Sequence, residues 1–185
     1  MGARRDPAHR QSAPGVRRSV FVLGGARSGK SAFAERLADA SELERVYIAT
    51  GQAFDAEMAA RIEAHRRSRG AGWRTVEAPC DLAQAIGAEA RHDRVLLVDC
   101  LTLWLSNILL ADRDIAAATE DLCRMLAAAD GTIILVSNEV GLSIVPENAL
   151  ARAFRDHSGR MNQTIAALAD EAWFVAAGLP LKLKG

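Results

Sequence analysis

A glycine-rich segment directly after a short apolar run is the feature that most constrains the fold of this chain. The run VFVL occupies positions 20–23, and the segment GGARSGKS occupies positions 24–31. A glycine, four residues and then glycine, lysine and serine is the spacing of a loop that binds nucleotide phosphates between a strand and a helix. Phe33, Leu37 and Ala38 then share one face, as in an amphipathic helix. The pattern predicts a nucleoside triphosphate site after the first strand.

Each residue type in this loop has a chemical reason. Glycines let successive backbone N–H groups point at phosphate oxygens, and the start of the following helix adds its dipole. Lys30 places a positive charge on the β- and γ-phosphates, and the Ser31 hydroxyl faces Mg²⁺. The predicted phosphate-binding positions are Gly24, Gly25, Ala26, Arg27, Ser28, Gly29, Lys30 and Ser31.

Short apolar runs alternate with helical segments along the rest of the chain. We predict strands at 19–23, 45–49, 94–99, 132–137 and 172–176, and helices at 31–40, 56–68, 82–89, 119–128 and 148–170. This alternation predicts an α/β fold: a single P-loop NTPase-type domain with a mostly parallel sheet flanked by helices. Leu179-Pro180 predicts a turn into a last strand at 181–184, antiparallel at the sheet edge.

The first segment of the chain differs from the rest. Residues 1–17 are rich in arginine, contain Pro7 and Pro14, and show no apolar periodicity. We expect a flexible leader at 1–17 and a single folded P-loop domain at 18–185.

Composition limits the class of protein. No apolar run approaches the roughly 18 to 20 residues that a membrane helix needs, so we expect no membrane span. The 23 Lys and Arg residues balance the 23 Asp and Glu residues. There is thus no global positive field of the kind that indicates a nucleic-acid partner. Cys80, Cys100 and Cys123 lack CxxC spacing, which predicts buried, reduced thiols in a cytoplasmic protein.

Two further strand ends carry polar residues. VLLVDC, at 95–100, delivers Asp99 to the carboxyl edge of the predicted sheet, where P-loop proteins hold Mg²⁺ or its water. The alternative is a strand-terminal aspartate that caps a turn. IILVSNEVG, at 133–141, ends in Ser137, Asn138 and Glu139, but it lacks the Lys and Asp of the guanine-binding N-K-x-D motif. A switch GTPase is therefore disfavoured.

The segment DAEMAARIEAHRRSRG, at 55–70, admits two interpretations. His65 shares a helix face with the apolar residues three and seven positions before it. In one interpretation His65 ends a packing stripe, and Arg66, Arg67 and Arg69 are a solvated helix end. In the other, these arginines bind phosphates and keep His65 neutral and nucleophilic. Spacing alone does not decide between them.

Several motifs together carry a more specific signal. GGARSGKS, VYIAT, D-x-EMAARI-x-x-H, WRT-x-E, NEVG-x-x-IVPEN-x-LAR-x-FRD and GR-x-NQ all occur in this chain. In this set the chain resembles the bifunctional adenosylcobinamide kinase/adenosylcobinamide-phosphate guanylyltransferase family of cobalamin assembly. The likeness covers residues 20–184.

The resemblance implies two reactions. ATP or GTP phosphorylates the aminopropanol hydroxyl of adenosylcobinamide, and GTP then gives GMP to that phosphate, which forms adenosylcobinamide-GDP and pyrophosphate. It also implies Mg²⁺ as the cofactor, held by Ser31 and Asp99 directly or through water, and a homotrimer as the assembly.

The resemblance also assigns residues. It makes His65 the histidine that carries GMP, with Lys30 and Asp99 as the other catalytic groups. The nucleotide site, besides the loop, would contain Thr50, Gly51, Gln52, Arg66, Arg67, Ser68, Arg69, Glu77 and Asp99.

Two departures from the family pattern bear on these assignments. Some relatives have a second histidine where this chain has Ala64, so His65 is the one candidate in its helix. Some carry glutamate where this chain has Asp99, and the shorter carboxylate would reach the metal through water or a small shift. Two rival functions stay open: a monofunctional P-loop kinase of a small metabolite, and a nucleotide-gated binding protein without transferase activity.

Overall fold

Strands and helices alternate along almost the whole described chain. The computed structural model describes residues 17–52, 56, 60, 63, 67, 70 and 72–185. In chain order the elements are β1 (Arg18–Gly24), α1 (Lys30–Asp39), β2 (Glu44–Ala49), β3 (Trp73–Glu77), α2 (Leu82–Glu89), β4 (Arg94–Asp99), α3 (Leu101–Leu110), α4 (Ile115–Ala128), β5 (Thr132–Asn138), α5 (Ala149–Leu168), β6 (Glu171–Ala176) and β7 (Leu179–Lys184).

The seven strands form one sheet in the order β3-β2-β4-β5-β1-β6-β7. All neighbouring pairs are parallel except β6 and β7, which form an antiparallel hairpin at one edge. The phosphate-loop strand β1 lies between β5 and β6, so β5 separates it from β4. The carboxyl ends of the parallel strands therefore meet along one edge of the sheet.

Side chains alternate between two apolar layers, one on each face of the sheet. Val20 and Val22 of β1 pack with Phe33 and Leu37 of α1, and we call this side the α1 face. Phe21, between the two valines, points to the opposite layer, which α2, α3, α4 and α5 cover. Burial of both faces explains why the central strands are nearly continuous apolar runs.

The structure confirms the predicted α/β architecture, with boundaries that differ by a few residues. The predicted strands correspond to β1, β2, β4, β5, β6 and β7, and the predicted helices at 31–40, 82–89, 119–128 and 148–170 correspond to α1, α2, α4 and α5. Most of the predicted helix at 56–68 lies outside the described residues, although positions 56, 60, 63 and 67 are helical.

Three features differ from the sequence predictions. The prediction omitted β3, whose exposed polar residues hide a strand at the sheet edge. It also omitted α3, whose sequence LTLWLSNILL has no polar face to reveal helical periodicity. The last hairpin turns at Ala177 and Gly178, both with positive φ, and not at 179–180. Pro180 lies within β7, where an edge position tolerates its missing N–H.

Two further sequence expectations concern the cysteines and the membrane. The three cysteines are free thiols, and Cys100 is buried as expected, but Cys80 and Cys123 are only half-buried. None of the helices in the described ranges combines the length and apolar composition required to cross a lipid bilayer.

Candidate nucleotide site

The loop between β1 and α1 curls back on itself as a phosphate-binding loop does. The Ser28 N–H donates to the carbonyl oxygen of Gly25 at 3.3 Å, and the Lys30 ammonium donates to the same oxygen at 3.1 Å. Arg27 and Gly29 adopt positive φ angles of 56° and 92°. Lys30 is buried, so its charge is held at the loop and does not extend into solvent.

Only glycine fits at position 24, because neighbouring atoms leave no room for a side chain at the start of the loop. A Cβ at this position would lie 2.5 Å from the carbonyl oxygen of Val175 and 2.6 Å from the Ser28 hydroxyl oxygen. The Gly24 carbonyl also accepts a 3.1 Å hydrogen bond from the Glu139 N–H at the end of β5. The loop is thereby anchored to both strands that flank β1.

Strand alternation places three polar side chains on the α1 face of the sheet. Val95 and Leu97 of β4 and Ile134 and Val136 of β5 pack in the α1 layer. Two residues further along these strands, Asp99 and Asn138 therefore point to the same side. Trp73 of β3 packs in that layer too, which gives Glu77 the same orientation. All three side chains therefore lie at the carboxyl edge of the sheet, on the side that α1 covers.

The distances along this edge follow from the strand order. Ala49 of β2 pairs in register with both Asp99 and Glu77, so these two carboxylates lie on either side of β2. At about 4.8 Å per strand, Asp99 is roughly 10 Å and Glu77 roughly 19 Å from β1. Asp99 can thus serve the phosphates, whereas Glu77 lies too far from the loop to do so.

Thr50 joins the ends of β2 and β4. Its buried hydroxyl donates to the Cys100 carbonyl oxygen at 2.7 Å and accepts from the Cys100 N–H at 2.8 Å. Asn107 of α3 donates to the carbonyl oxygens of Thr50 at 2.8 Å and of Pro79 at 2.9 Å. The Thr50 hydroxyl therefore both donates and accepts a hydrogen bond within the protein. These two bonds fix the backbone that leads into Gly51.

The pKa of the buried Cys100 thiol is influenced by charged groups on both sides of it. Burial raises the pKa of the Cys100 thiol to about 11, the Asp99 carboxylate adds to the rise, and the Lys30 ammonium opposes it. The charge of Lys30, at the end of the loop, and the charge of Asp99, at the end of β4, therefore both act on the Cys100 sulfur. The thiol itself stays protonated near neutral pH and is not a nucleophile.

A closed set of hydrogen bonds, which we call the polar ring, holds the end of β5 on the opposite face. The Asn138 N–H donates to the Thr102 hydroxyl at 2.7 Å, and the Asn138 carbonyl accepts from the Asn162 amide at 3.2 Å. Ser137 donates to the Asn162 amide oxygen at 2.8 Å and lies 3.3 Å from the Thr102 hydroxyl. The ring consists of Thr102, Ser137, Asn138 and Asn162.

The remaining residues that the sequence assigned to the site are only partly placed. Gly51 is half-buried and Gln52 is exposed at the end of β2. Arg67 is largely exposed and pairs with Glu63 at 3.2 Å. His65, Arg66, Ser68 and Arg69 lie outside the described residues.

Sequence reasoning missed the residues that hold the site from behind. Asn107 and Thr102 belong to the apolar helix α3, and Asn162 belongs to α5. All three are buried. For Thr102 and Asn107, a polar residue within an otherwise apolar helix was the signal that could have indicated them, because buried polar groups need partners. Helix α5 is rich in polar residues and offered no such signal for Asn162.

Comparison with known proteins identifies relatives over nearly the whole chain. The family model described as cobinamide kinase / cobinamide phosphate guanyltransferase matches residues 20–183. The bifunctional adenosylcobalamin biosynthesis protein CobP of Pseudomonas aeruginosa is 51% identical over 167 residues, covering 89% of this chain and 96% of that protein. CobU of Salmonella typhimurium is 45% identical over 181 residues, covering 89% of this chain and 99% of that protein.

Solved structures with low sequence identity share the fold alone. The type III secretion ATPase EscN of enteropathogenic Escherichia coli aligns with a TM-score of 0.54 at 12% identity, covering 86% of this chain and 43% of that one. The flagellar accessory protein FlaH of Methanocaldococcus jannaschii aligns with a TM-score of 0.50 at 14% identity, covering 90% and 78%. These likenesses agree with a P-loop NTPase-type sheet.

Proposed function

This chain belongs to the cobinamide kinase / cobinamide phosphate guanyltransferase family, and from that premise we propose that it catalyses both reactions in cobalamin biosynthesis. It phosphorylates adenosylcobinamide with ATP or GTP and then transfers GMP from GTP to the product. The observation that carries the proposal is the placement of the buried Lys30 and of Asp99 on one face of the sheet edge, within the segment that matches the family.

In the kinase step, the aminopropanol hydroxyl oxygen attacks the γ-phosphorus. The bond from that phosphorus to the β–γ bridging oxygen breaks, a nucleoside diphosphate leaves, and the hydroxyl proton passes to solvent. The reaction needs mainly positioning and neutralisation of charge. Lys30 and the N–H groups of residues 24–31 provide both in this proposal.

Mg²⁺ fits the oxygen donors at this position. Ser31 lies in the first turn of α1 and Asp99 ends β4, and neither side chain hydrogen-bonds or ion-pairs within the described part of the chain. Mg²⁺ is commonly bound by one or two protein oxygens together with phosphates and water. When bound, it would neutralise charge on the β- and γ-phosphates, with Ser31 and Asp99 as its protein ligands, directly or through water.

In the guanylyl step, we assign the nucleophile to His65. Its neutral imidazole attacks the α-phosphorus of GTP, the α–β bridging bond breaks, and pyrophosphate leaves. An oxygen of adenosylcobinamide phosphate then attacks the same phosphorus and releases the imidazole. The family resemblance supports this role, and the helical positions 56, 60, 63 and 67 support the helix on which His65 was predicted.

The order of strands suggests how the nucleotide lies. With its triphosphate at the β1 loop, its ribose and base extend along the carboxyl edge toward β2 and β3. Gly51, Gln52 and Glu77 lie in that direction, and Thr50 fixes the backbone that precedes Gly51 through its bonds to Cys100. Arg66, Arg67, Ser68 and Arg69 complete the proposed nucleotide site on the helix of His65.

The proposed assembly is a homotrimer, as the family resemblance implies. Leu142, Ile144 and Val145, which follow β5 beside the loop, are 84%, 93% and 61% exposed. Burial of such side chains between subunits would remove apolar surface from water next to each site. Light scattering coupled to size exclusion measures the assembly, and a monomer at all concentrations would contradict this part.

The direct test of the proposed function is incubation with GTP, Mg²⁺ and adenosylcobinamide, with products identified by mass spectrometry. We expect adenosylcobinamide phosphate first and adenosylcobinamide-GDP later. Accumulation of the phosphate alone would indicate a monofunctional kinase. Binding of nucleotide with neither product would indicate a binding protein and overturn the proposal.

A further inference from the structure

Asn138, at the end of β5, carries a side-chain amide that has no hydrogen-bond partner among the described residues. We propose that this amide hydrogen-bonds the γ-phosphoryl group of the bound nucleotide and acts as a catalytic residue in the phosphorylation step. The inference rests on the proposed function, and it adds a residue that the sequence analysis set aside together with the N-K-x-D comparison.

The first observation is that the amide is unsatisfied. The Asn138 Oδ1 atom is buried, and within the described part of the chain nothing donates to it and nothing accepts from Nδ2. A buried amide oxygen without a partner loses its hydrogen bonds to water and gains none in return, and native proteins rarely retain one without a reason. An external ligand that donates or accepts at this position would remove the penalty.

The second observation is that hydrogen bonds of the backbone, and not of the side chain, fix the position of Asn138. Its N–H donates to Thr102 and its carbonyl accepts from Asn162, both within the polar ring on the opposite face. The ring fixes where the side chain begins, and the amide remains available. Preorganised hydrogen-bonding groups of this kind are effective in catalysis because they need no rearrangement.

The third observation is the direction of the side chain. Asn138 pairs in register with Gly24, and both lie on the α1 face, where the loop passes into α1. The Ser28 hydroxyl, another buried polar atom that has no hydrogen-bond partner among the described residues, lies 2.6 Å from where a Cβ of Gly24 would be. Two unsatisfied polar groups thus flank the first residue of the phosphate loop.

The neighbouring charges identify the terminal phosphate as the contact. β5 lies between β1 and β4, so Asn138 is between the Lys30 loop and Asp99. In the proposed pose, Lys30 and the Mg²⁺ ligand Asp99 lie beside the β- and γ-phosphates, whereas the base lies toward β3. A neutral amide can donate to a phosphate oxygen or accept from the attacking hydroxyl without adding charge beside Asp99.

The contact should matter more for one reaction than for the other. In the kinase step the γ-phosphoryl group moves toward the hydroxyl, so a group that follows it stabilises the transition state. In the guanylyl step the α-phosphorus is attacked, and the γ-phosphate leaves as part of pyrophosphate. Loss of the amide should therefore reduce the kinase kcat more than the guanylyltransferase kcat.

The test compares Asn138→Ala and Asn138→Ser with wild type and with Gln163→Ala, which removes an exposed amide from α5. Calorimetry with Mg²⁺ measures the affinity for ADP and for an ATP analogue with a methylene group between the β- and γ-phosphorus. We expect both Asn138 variants to bind the analogue about tenfold more weakly while ADP affinity changes less than about twofold, as for one lost hydrogen bond to a charged group. Gln163→Ala should match wild type.

Turnover supplies a second and independent measure. The kinase kcat should fall by about a hundredfold in Asn138→Ala, as for other removed stabilising groups, with a smaller loss of guanylyl transfer to preformed adenosylcobinamide phosphate. The melting temperature should stay equal or rise, since an unsatisfied amide is removed. Equal weakening of ADP and analogue, or equal loss of both activities, would overturn the proposal. If wild type makes no adenosylcobinamide phosphate, the proposed function fails, while the ADP and analogue affinities still decide the role of Asn138.

Discussion

The backbone nitrogen of Gly178 donates a 2.8 Å hydrogen bond to the carbonyl oxygen of Ser28, so the turn between the last two strands lies against the phosphate loop. The contact continues at Gly29, where a Cβ would lie 3.1 Å from the Gly178 Cα. The edge hairpin thus supports the loop from the side away from β5.

Gly29→Ala should therefore lower the free energy of unfolding by about 1–3 kcal/mol, because alanine is strained at a φ of 92° and crowds Gly178. Chemical denaturation measures the change. Gly25→Ala is the matched control, since its Cβ would meet nothing within 4 Å. It should change the unfolding free energy by less than about 0.5 kcal/mol. Equal losses in both variants would contradict the role given to Gly178.

Lys30→Ala should abolish both activities, because both reactions need positive charge on the triphosphate. The loss of transition-state stabilisation should be about 3 kcal/mol or more in each. Steady-state rates of the two half-reactions measure it. Lys182→Ala removes a lysine of β7 that pairs with Glu171, and it should keep both rates. Near-native kinase turnover in Lys30→Ala would refute the assignment of the site.

Acid should destabilise the fold partly through Asp170. Burial on its own would raise the pKa of Asp170, but hydrogen bonds from the Ser19 hydroxyl and N–H, with the charges of Arg17 and Lys184, outweigh it and hold that pKa below its ordinary value of 3.8. The stabilisation is therefore complete above the unfolded-state pKa and is lost as pH falls through the lower folded-state pKa.

Melting temperatures from about pH 6 to pH 3 test this linkage. Asp170→Asn should reduce stability at neutral pH and make the decline toward acid shallower. The exposed Asp130, for which no salt-bridge partner occurs in the described ranges, provides the control Asp130→Asn with an acid slope like that of wild type. An unchanged slope in Asp170→Asn would show that Ser19 does not bind the carboxylate.

GTP labelled at the α-phosphate should leave one covalent label per chain if His65 carries GMP, and γ-labelled GTP should leave none. The phosphoramidate bond should survive alkali and break in mild acid, because protonation of the ring nitrogen makes it a good leaving group. His65→Asn should erase the label and the guanylyl transfer but leave the kinase step, which needs no protein nucleophile. His92→Asn should retain the label. Formation of adenosylcobinamide-GDP by His65→Asn at a comparable rate would return His65 to a packing role.

Sequence reasoning located the loop and Asp99 because both are local signals. The glycine spacing of 24–31 requires a particular turn, and a carboxylate after an apolar run marks a strand end. The order of strands is not a local property, so the sequence did not indicate that β5 separates Asp99 from β1. That separation is what brings Asn138 between the two.

The buried hydrogen bonds were also beyond reach of the sequence. Asn107 bonds to Thr50 and Pro79, which lie 57 and 28 residues away along the chain. Such pairs form only when tertiary packing brings α3 beneath the ends of β2 and β3. Helix α3 itself escaped prediction because apolar residues on all its sides remove the periodicity on which helix prediction depends.

The polar ring also restricts how this protein can change over evolutionary time. Each hydrogen bond in the ring has a fixed direction. The Ser137 hydroxyl donates its proton to Asn162, so the Thr102 hydroxyl must donate to Ser137 and accept from the Asn138 N–H. Loss of any one hydroxyl or amide leaves a buried neighbour without its partner. Positions 102, 137 and 162 are therefore expected to covary across relatives, with single exchanges rare and joint exchanges to apolar residues tolerated. Sequence change near the proposed nucleotide site is therefore limited by the hydrogen bonds among the buried residues behind it.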